Sequence, residues 1–209
     1  MATWSEWFKN ADKDDIPLSE FLIINQPKDI ERLYSSGLPV CDRLLVACKE
    51  YLNDSVVKFC EKHNGVWIRV YNKTERHYKL GLKGHAQVKE YIESLDIDVS
   101  KFKIQIFEFD PNKFGGNIVS GEKGVYIEMV YGDQLDVANC WKEFCHGYIS
   151  PLGILKFHET DVTDEMKRTA FNVLKCLKTS KGNYMKGYFE FVVSVKNNIY
   201  FLDYKVNLK

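Results

Sequence analysis

The stretch 186-KGYFEFVVSVKNNIYFLDYKVN-207 decides how the chain is read. Two apolar, aromatic-rich runs flank Asn197-Asn198, and Asn tolerates the positive φ of a tight turn, so the stretch reads as a β-hairpin. A two-residue turn pairs Lys196 with Ile199. Carried outward, it sets Glu190 opposite Lys205, Asp203 opposite Val192 and Asn207 opposite Tyr188. Alternation then places Glu190, Asp203, Lys205 and Asn207 on one face. Phe189, Phe191, Val193, Val195, Tyr200, Leu202, Tyr204 and Val206 take the other, as a core face. The polar set holds two carboxylates, an ammonium and an amide within about 5–8 Å of one another. Hard oxygen ligands suit Mg²⁺ held against phosphates, and a lysine suits a phosphate oxygen. A solvated strand face with a cross-strand Glu–Lys pair is the plain alternative.

Composition narrows the class. With 209 residues the chain holds one large domain or two small lobes around a real core. Apolar residues make up 45% and aromatics 14%, which fits a strand-rich globular fold. Lys plus Arg and Asp plus Glu number 29 each, so overall charge does not indicate nucleic-acid binding, although a local basic patch stays open. Cys41, Cys48, Cys60, Cys140, Cys145 and Cys176 form no C-x-x-C pair and read as reduced core residues. No signal-peptide pattern or membrane-length apolar run is present, so a cytoplasmic protein with no membrane partner is expected.

Along the chain, "FLIINQP" near residue 21 reads as a short strand, and Trp4 and Trp7 as one docked helical turn. Residues 41–63 read as a helix, 65–72 as a strand with Val66, Ile68 and Val70 inward, 84–95 as a helix and 103–109 as a strand. "NKFGGNIVSGEKG" (112–124) reads as a flexible glycine-rich loop or an ordinary turn. Residues 125–132 form a strand, 147–159 an extended segment and 161–180 the clearest helix, capped by Asp161 or Thr163. The order lacks strict βαβ alternation. It predicts an α+β fold of two small lobes, with mixed or antiparallel sheets flanked by helices. The expected divisions are an arm or lid at 1–35, an N-terminal lobe at 36–120 and a C-terminal lobe at 121–209.

The terminal strand pair resembles the metal-binding end of the ATP-grasp fold, in which an acid on the first strand and an acid or amide on the second hold the magnesium of ATP. On that resemblance Glu190 and Asp203 are metal ligands. Lys205 stands where the family usually carries Asn or Arg, and is expected to contact phosphate. Asn207 is a third candidate metal ligand from the hairpin pattern alone. "GVYIEMVYGDQLD" (124–136) resembles the family's hinge strand, which makes Glu128 the adenine-facing carboxylate and Met129 and Val130 its backbone partners. "GLPVCDRLLVACKEYL" followed by "VWIRVYN" resembles the opening of the phosphoenolpyruvate synthase-like branch, with Arg69 as a phosphate contact. Lys79 or Lys83, in "HYKLGLKG", would be a second cation, and 112–124 a flap over phosphates. The resemblance implies a compact pair of nucleotide-binding lobes using Mg-ATP. The implied reaction is that of a ligase or phosphotransferase, with Arg69 and Lys205 acting on the phosphates and an acceptor that no motif identifies.

Two other classes stay open. A nucleic-acid ligase or nucleotidyl transferase would need a lysine nucleophile, of which "LKGH" around Lys83 is a faint echo. Trp67 and Tyr71, flanking Arg69, could stack bases, although Trp67 packing on a helix is the plainer reading. A non-catalytic interaction module would be indifferent to Glu190 and Asp203. His63, His77, His85, His146 and His158 show no metal-ligand spacing, and Cys145 and His146 point to opposite faces of a strand, so they cannot form a dyad.

Overall fold

The computed structural model describes residues 29–121, 124–132, 145–149, 153–158 and 162–206. The expected strand near residue 21, the Trp4–Trp7 turn, Cys140 and Asn207 lie outside them. Contacts divide the chain into two compact units, Cys41–Pro111 and Met1–Val40 with Asn112–Lys209. The fold is α+β, and both sheets are antiparallel throughout.

The unit Cys41–Pro111 is built from β1 (Arg43–Ala47), α2 (Asp54–Lys62), β2 (Val66–Tyr71), β3 (Arg76–Leu82), α3 (Gly84–Ser94) and β4 (Lys103–Glu108). Its four strands lie in the order β1-β4-β2-β3. Val66, Ile68 and Val70 are fully buried, as period-two alternation predicts, and pack with Ile104, Ile106, Val56, Cys60, Val88 and Ile92. Residues 41–63 are not one helix. Arg43–Ala47 pairs with β4, a 3₁₀ turn follows at Cys48–Glu50, and the α-helix begins only after Asn53. The run "LLVACKEYL" satisfies both periods over its first turn. Pairing with an apolar strand wins, and Leu45 is left half exposed on the outer face. Burial pushes the Cys48 and Cys60 thiols up to about 11, so both are inert core residues.

The other unit carries α1 (Asp29–Ser35), β5 (Asn112–Gly121), β6 (Gly124–Tyr131), β7 (Cys145–Ile149), β8 (Leu155–Phe157), α4 (Asp164–Cys176), β9 (Gly187–Ser194) and β10 (Ile199–Lys205). Its sheet order is β10-β9-β5-β6-β7-β8. The amide of Met166 donates to Thr163 Oγ1 at 3.2 Å, which caps α4. Met166, Ala170, Val173, Leu174 and Leu177 then bury against Phe114, Ile118, Ile127, Phe189 and Phe191. The segment before the first unit joins this core through Leu33 and Leu38, and Pro39 accepts a 2.8 Å bond from the Phe201 amide.

Two readings of this unit are corrected. Residues 112–121 are an interior strand, not a loop: β5 pairs with β6 on one side and β9 on the other. Gly116 serves close approach rather than flexibility. A Cβ on Gly116 would sit 2.2 Å from the Glu128 carbonyl and 2.6 Å from the Phe191 ring. The hairpin register also differs. The loop spans 195–198, with Asn197 at φ 65°, and Ile199 pairs with Val193. A bulge at Leu202 then shifts the phase, so Phe201 opposes Phe191 while Asp203 opposes Glu190, not Val192, and Lys205 opposes Tyr188. Phe201 is therefore buried, and Leu202 and Val195, expected inside, are exposed.

Gly116→Ala is expected to lower stability in denaturant by about 2–3 kcal/mol or more through overpacking. Gly121→Ala, on the same strand but facing open space, should change stability by less than about 0.5 kcal/mol. Equal effects would remove the close-approach explanation.

Candidate functional site

The register of the six-stranded sheet sets five polar side chains in one row. Asp203 opposes Glu190, Glu190 opposes Asn117, Asn117 opposes Glu128, and Glu128 opposes His146. Directly opposed residues share a face, so the row crosses β10, β9, β5, β6 and β7 on the side away from α4. The next row holds Lys205, Tyr188 and, beyond Val119, Tyr126 and Tyr148.

The row is not a solvated strand face. Asn117 is 1% exposed and Glu128 4%. The Tyr188 hydroxyl lies 3.0 Å from Glu190 Oε1 and 3.1 Å from Asn117 Oδ1, and its one proton serves one acceptor at a time. Asn117 Nδ2 is buried with no hydrogen-bond partner. Lys205 Nζ sits 2.9 Å from Asp203 Oδ2 and 5.3 Å from the centre of the Tyr188 ring. His146 Nε2 stands 3.4 Å from Glu128 Oε1.

Burial, and then the charge of Asp203, hold the Glu190 carboxyl above the usual glutamate range, against the Tyr188 hydroxyl and Lys205. Burial pushes Tyr188 well above the ordinary phenol range, with Glu190 adding to it. Three carboxylates thus crowd a face that offers Lys205 as its ammonium. Such a donor set fits a divalent cation with oxygen ligands. A cation would relieve the repulsion that raises Glu190, and the orphaned Asn117 amide donor fits an anionic oxygen beside it.

The structure brings together Glu190, Asp203, Lys205 and Glu128 among the expected site residues. Glu128 reaches the row from an interior strand. β6 lies between β5 and β7, and the chain passes between units at 40/41 and 111/112. Met129 is flanked by Gly116 and Cys145, and Val130 pairs with Gly115. Met129 therefore has neighbouring strands on both sides. In the other unit, Arg69 packs its guanidinium 5.4 Å from the Tyr71 ring, and its Nε is buried without a partner. Lys79 pairs with Ile68, on the face opposite Arg69, and Lys83 is an exposed residue at the start of α3. Neither lysine joins Arg69. Trp67 stacks on Phe107 at 4.0 Å instead of on a helix.

Asn117, Tyr188 and His146 were not foreseen. The signal for Asn117 lay in its alternation with Phe114, Gly116 and Ile118, which the glycine content of 112–121 disguised.

No protein-family model and no curated protein matches the chain. Solved structures do. An ATP-grasp ligase of Chryseobacterium gregarium, associated with a RiPP and solved with ADP and a leader and core peptide, matches 84% of this chain and 49% of its own, at 14% identity and a TM-score of 0.45. The ADP complex of N5-carboxyaminoimidazole ribonucleotide synthetase matches 84% and 42%, at 15% identity and a TM-score of 0.45. The macrocyclase MdnC of Microcystis aeruginosa, bound with precursor peptide MdnA, matches 83% and 49%, at 13% identity and a TM-score of 0.42. The chain spans less than half the length of these three structures. Among the described residues no helix is long and apolar enough to cross a membrane.

The raised Glu190 has a pH consequence. The folded protein holds that proton more tightly than the unfolded chain does. The stability this gives is present below the ordinary glutamate range and is lost as pH rises through the raised value. In metal-free protein Glu190→Gln should therefore melt above wild type near neutral pH, with the two curves converging near about pH 4. Thermal unfolding followed by circular dichroism across pH checks this, and a gap that widens toward acid would contradict it.

Proposed function

We propose that the chain binds Mg-ATP on the carboxylate row and serves an ATP-dependent ligase or phosphotransferase reaction of the ATP-grasp type. The observation that carries the reading is the continuous row Asp203–Glu190–Asn117–Glu128 with Lys205 beside it. Glu190 and Asp203 would hold the magnesium, with Glu128 beyond Asn117 in the row. When bound, the metal neutralises charge on the phosphoryl group that is transferred.

The protein's own groups do the rest. Lys205 places a point charge where a phosphate oxygen can meet it. The Asn117 amide donates to the same anionic group, which gives its buried Nδ2 the partner it lacks. Tyr188 fixes Glu190 by a hydrogen bond, so the ligand is oriented before the cation arrives. The acceptor substrate is a second, unidentified partner. In most of the family it is a carboxylate that becomes an acyl phosphate.

Calorimetric titration with ATP, with and without Mg²⁺, tests the reading. Magnesium-dependent binding is expected, with Glu190→Ala and Asp203→Ala each weakening it about tenfold or more, equal to about 1.4 kcal/mol. Lys205→Ala should cost about 1.5–3 kcal/mol, the range for a hydrogen bond to a charged group. Arg69→Ala, in the other unit, tests the phosphate contact expected of Arg69. Magnesium-independent binding that survives Glu190→Ala, or no binding by folded protein at millimolar ATP, would leave the row to another role and favour a non-catalytic module.

A further inference from the structure

We propose that Asp42, His63 and Glu108 form a site for a divalent transition-metal ion of the zinc type, in the unit Cys41–Pro111. One ligand atom from each of the three lies within 4.8 Å of the others. The site is separate from the carboxylate row and does not rest on the nucleotide reading.

The three residues come from the ends of three elements. Asp42 precedes β1, His63 ends α2, and Glu108 closes β4. Backbone bonds fix those ends: the Glu108 amide donates to the Asp42 carbonyl at 2.9 Å, and the Phe109 amide donates to the Gly65 carbonyl at 2.9 Å. The His63 ring rests on Phe59, with ring centres 4.7 Å apart. The ligand positions are thus held by structure that forms without the ion.

The histidine gives the independent pointer. Its side chain is 8% exposed, and its Nε2 is buried with no hydrogen-bond partner. A polar ring nitrogen in that state is costly unless something takes its lone pair or its proton. Asp42 Oδ2 is 3.4 Å from Nε2 but lies outside hydrogen-bond geometry. Two ligands held about 2.0–2.1 Å from one tetrahedral zinc stand about 3.4 Å apart, so this pair is already at ligand spacing. Glu108 Oε1 is 3.8 Å from Nδ1. The Glu108 side chain is 28% exposed and can turn one oxygen to the ion. An imidazole with two carboxylates suits zinc and its first-row neighbours better than magnesium.

One cation already stands there. Lys62 Nζ hydrogen-bonds Asp42 Oδ2, the oxygen that faces His63. Its side chain is 65% exposed, so it can swing into water when a doubly charged ion takes its place. Asp42, at 49% exposed, leaves the ion a path from solvent.

The test uses the full chain without a histidine tag, stripped with a chelator and titrated with Zn²⁺ and then Co²⁺ in the absence of nucleotide. The expected result is one ion per chain, a visible Co²⁺ absorption of low-coordinate type and a higher melting temperature with zinc. His63→Ala should abolish binding, and Asp42→Asn should weaken it about tenfold or more. Lys62→Ala should bind as tightly as wild type or more tightly, since it removes the competitor and leaves the ligands. Glu190→Ala should keep the zinc, which separates this site from the carboxylate row. Circular dichroism confirms that each variant is folded, and if His63→Ala is not, Asp42→Asn and Lys62→Ala decide. No bound ion after dialysis, binding unchanged in folded His63→Ala or Asp42→Asn, or weaker binding in Lys62→Ala would each overturn the proposal.

Discussion

The pairing of β9 with β5 is the constraint on which the second unit depends. One register, Glu190 against Asn117 and Phe189 against Ile118, serves both faces of the sheet at once. On one side it stacks Phe189 and Phe191 under α4, where Val173 and Leu174 close the core. On the other it completes the row of carboxylates. A slip of one residue would exchange the faces, putting Glu190 into the core and Phe189 into the polar row. The large apolar face therefore fixes the position of the acids. Truncating a buried Phe in such a core costs about 3–5 kcal/mol, far more than any exposed charge pair supplies.

The same register creates tension on the polar side. Glu128 is almost wholly buried, Glu190 is held above its usual range, and Asn117 Nδ2 has no hydrogen-bond partner. A sheet selected for stability alone would place Thr or Val at these positions. Tyr188 and Lys205 offset part of the cost by hydrogen bonding and charge. What remains is a polar face whose buried carboxylates and amide donor the protein itself compensates only in part.

Legibility in the sequence followed the strength of each local signal. Strand 66–71 and the helix at 164–176 were plain, because alternation or a full apolar stripe ran through them without a rival period. The hairpin and its acids were also legible. Its register was not, because the bulge at Leu202 changes the phase of alternation in mid-strand and no residue type announces it. Odd-numbered positions therefore placed Phe201 beside Asp203, whereas the structure turns one inward and the other outward. Residues 112–121 were misread for a different reason. Gly115 and Gly116 look like flexibility in one dimension, but of the two groups that require Gly116 the Glu128 carbonyl comes from the next strand and the Phe191 ring from one far along the chain. Long-range packing also decided 43–47, where a short apolar run became a strand because β4 was there to pair with it.

A carboxyl that retains its proton more firmly than usual makes any cation on the row a competitor of hydrogen ion for the same oxygen. A cation bound there would favour the ionised carboxylate, and by reciprocity acidifying the medium would weaken its binding. The heat of such binding would carry a contribution from the buffer's own ionisation.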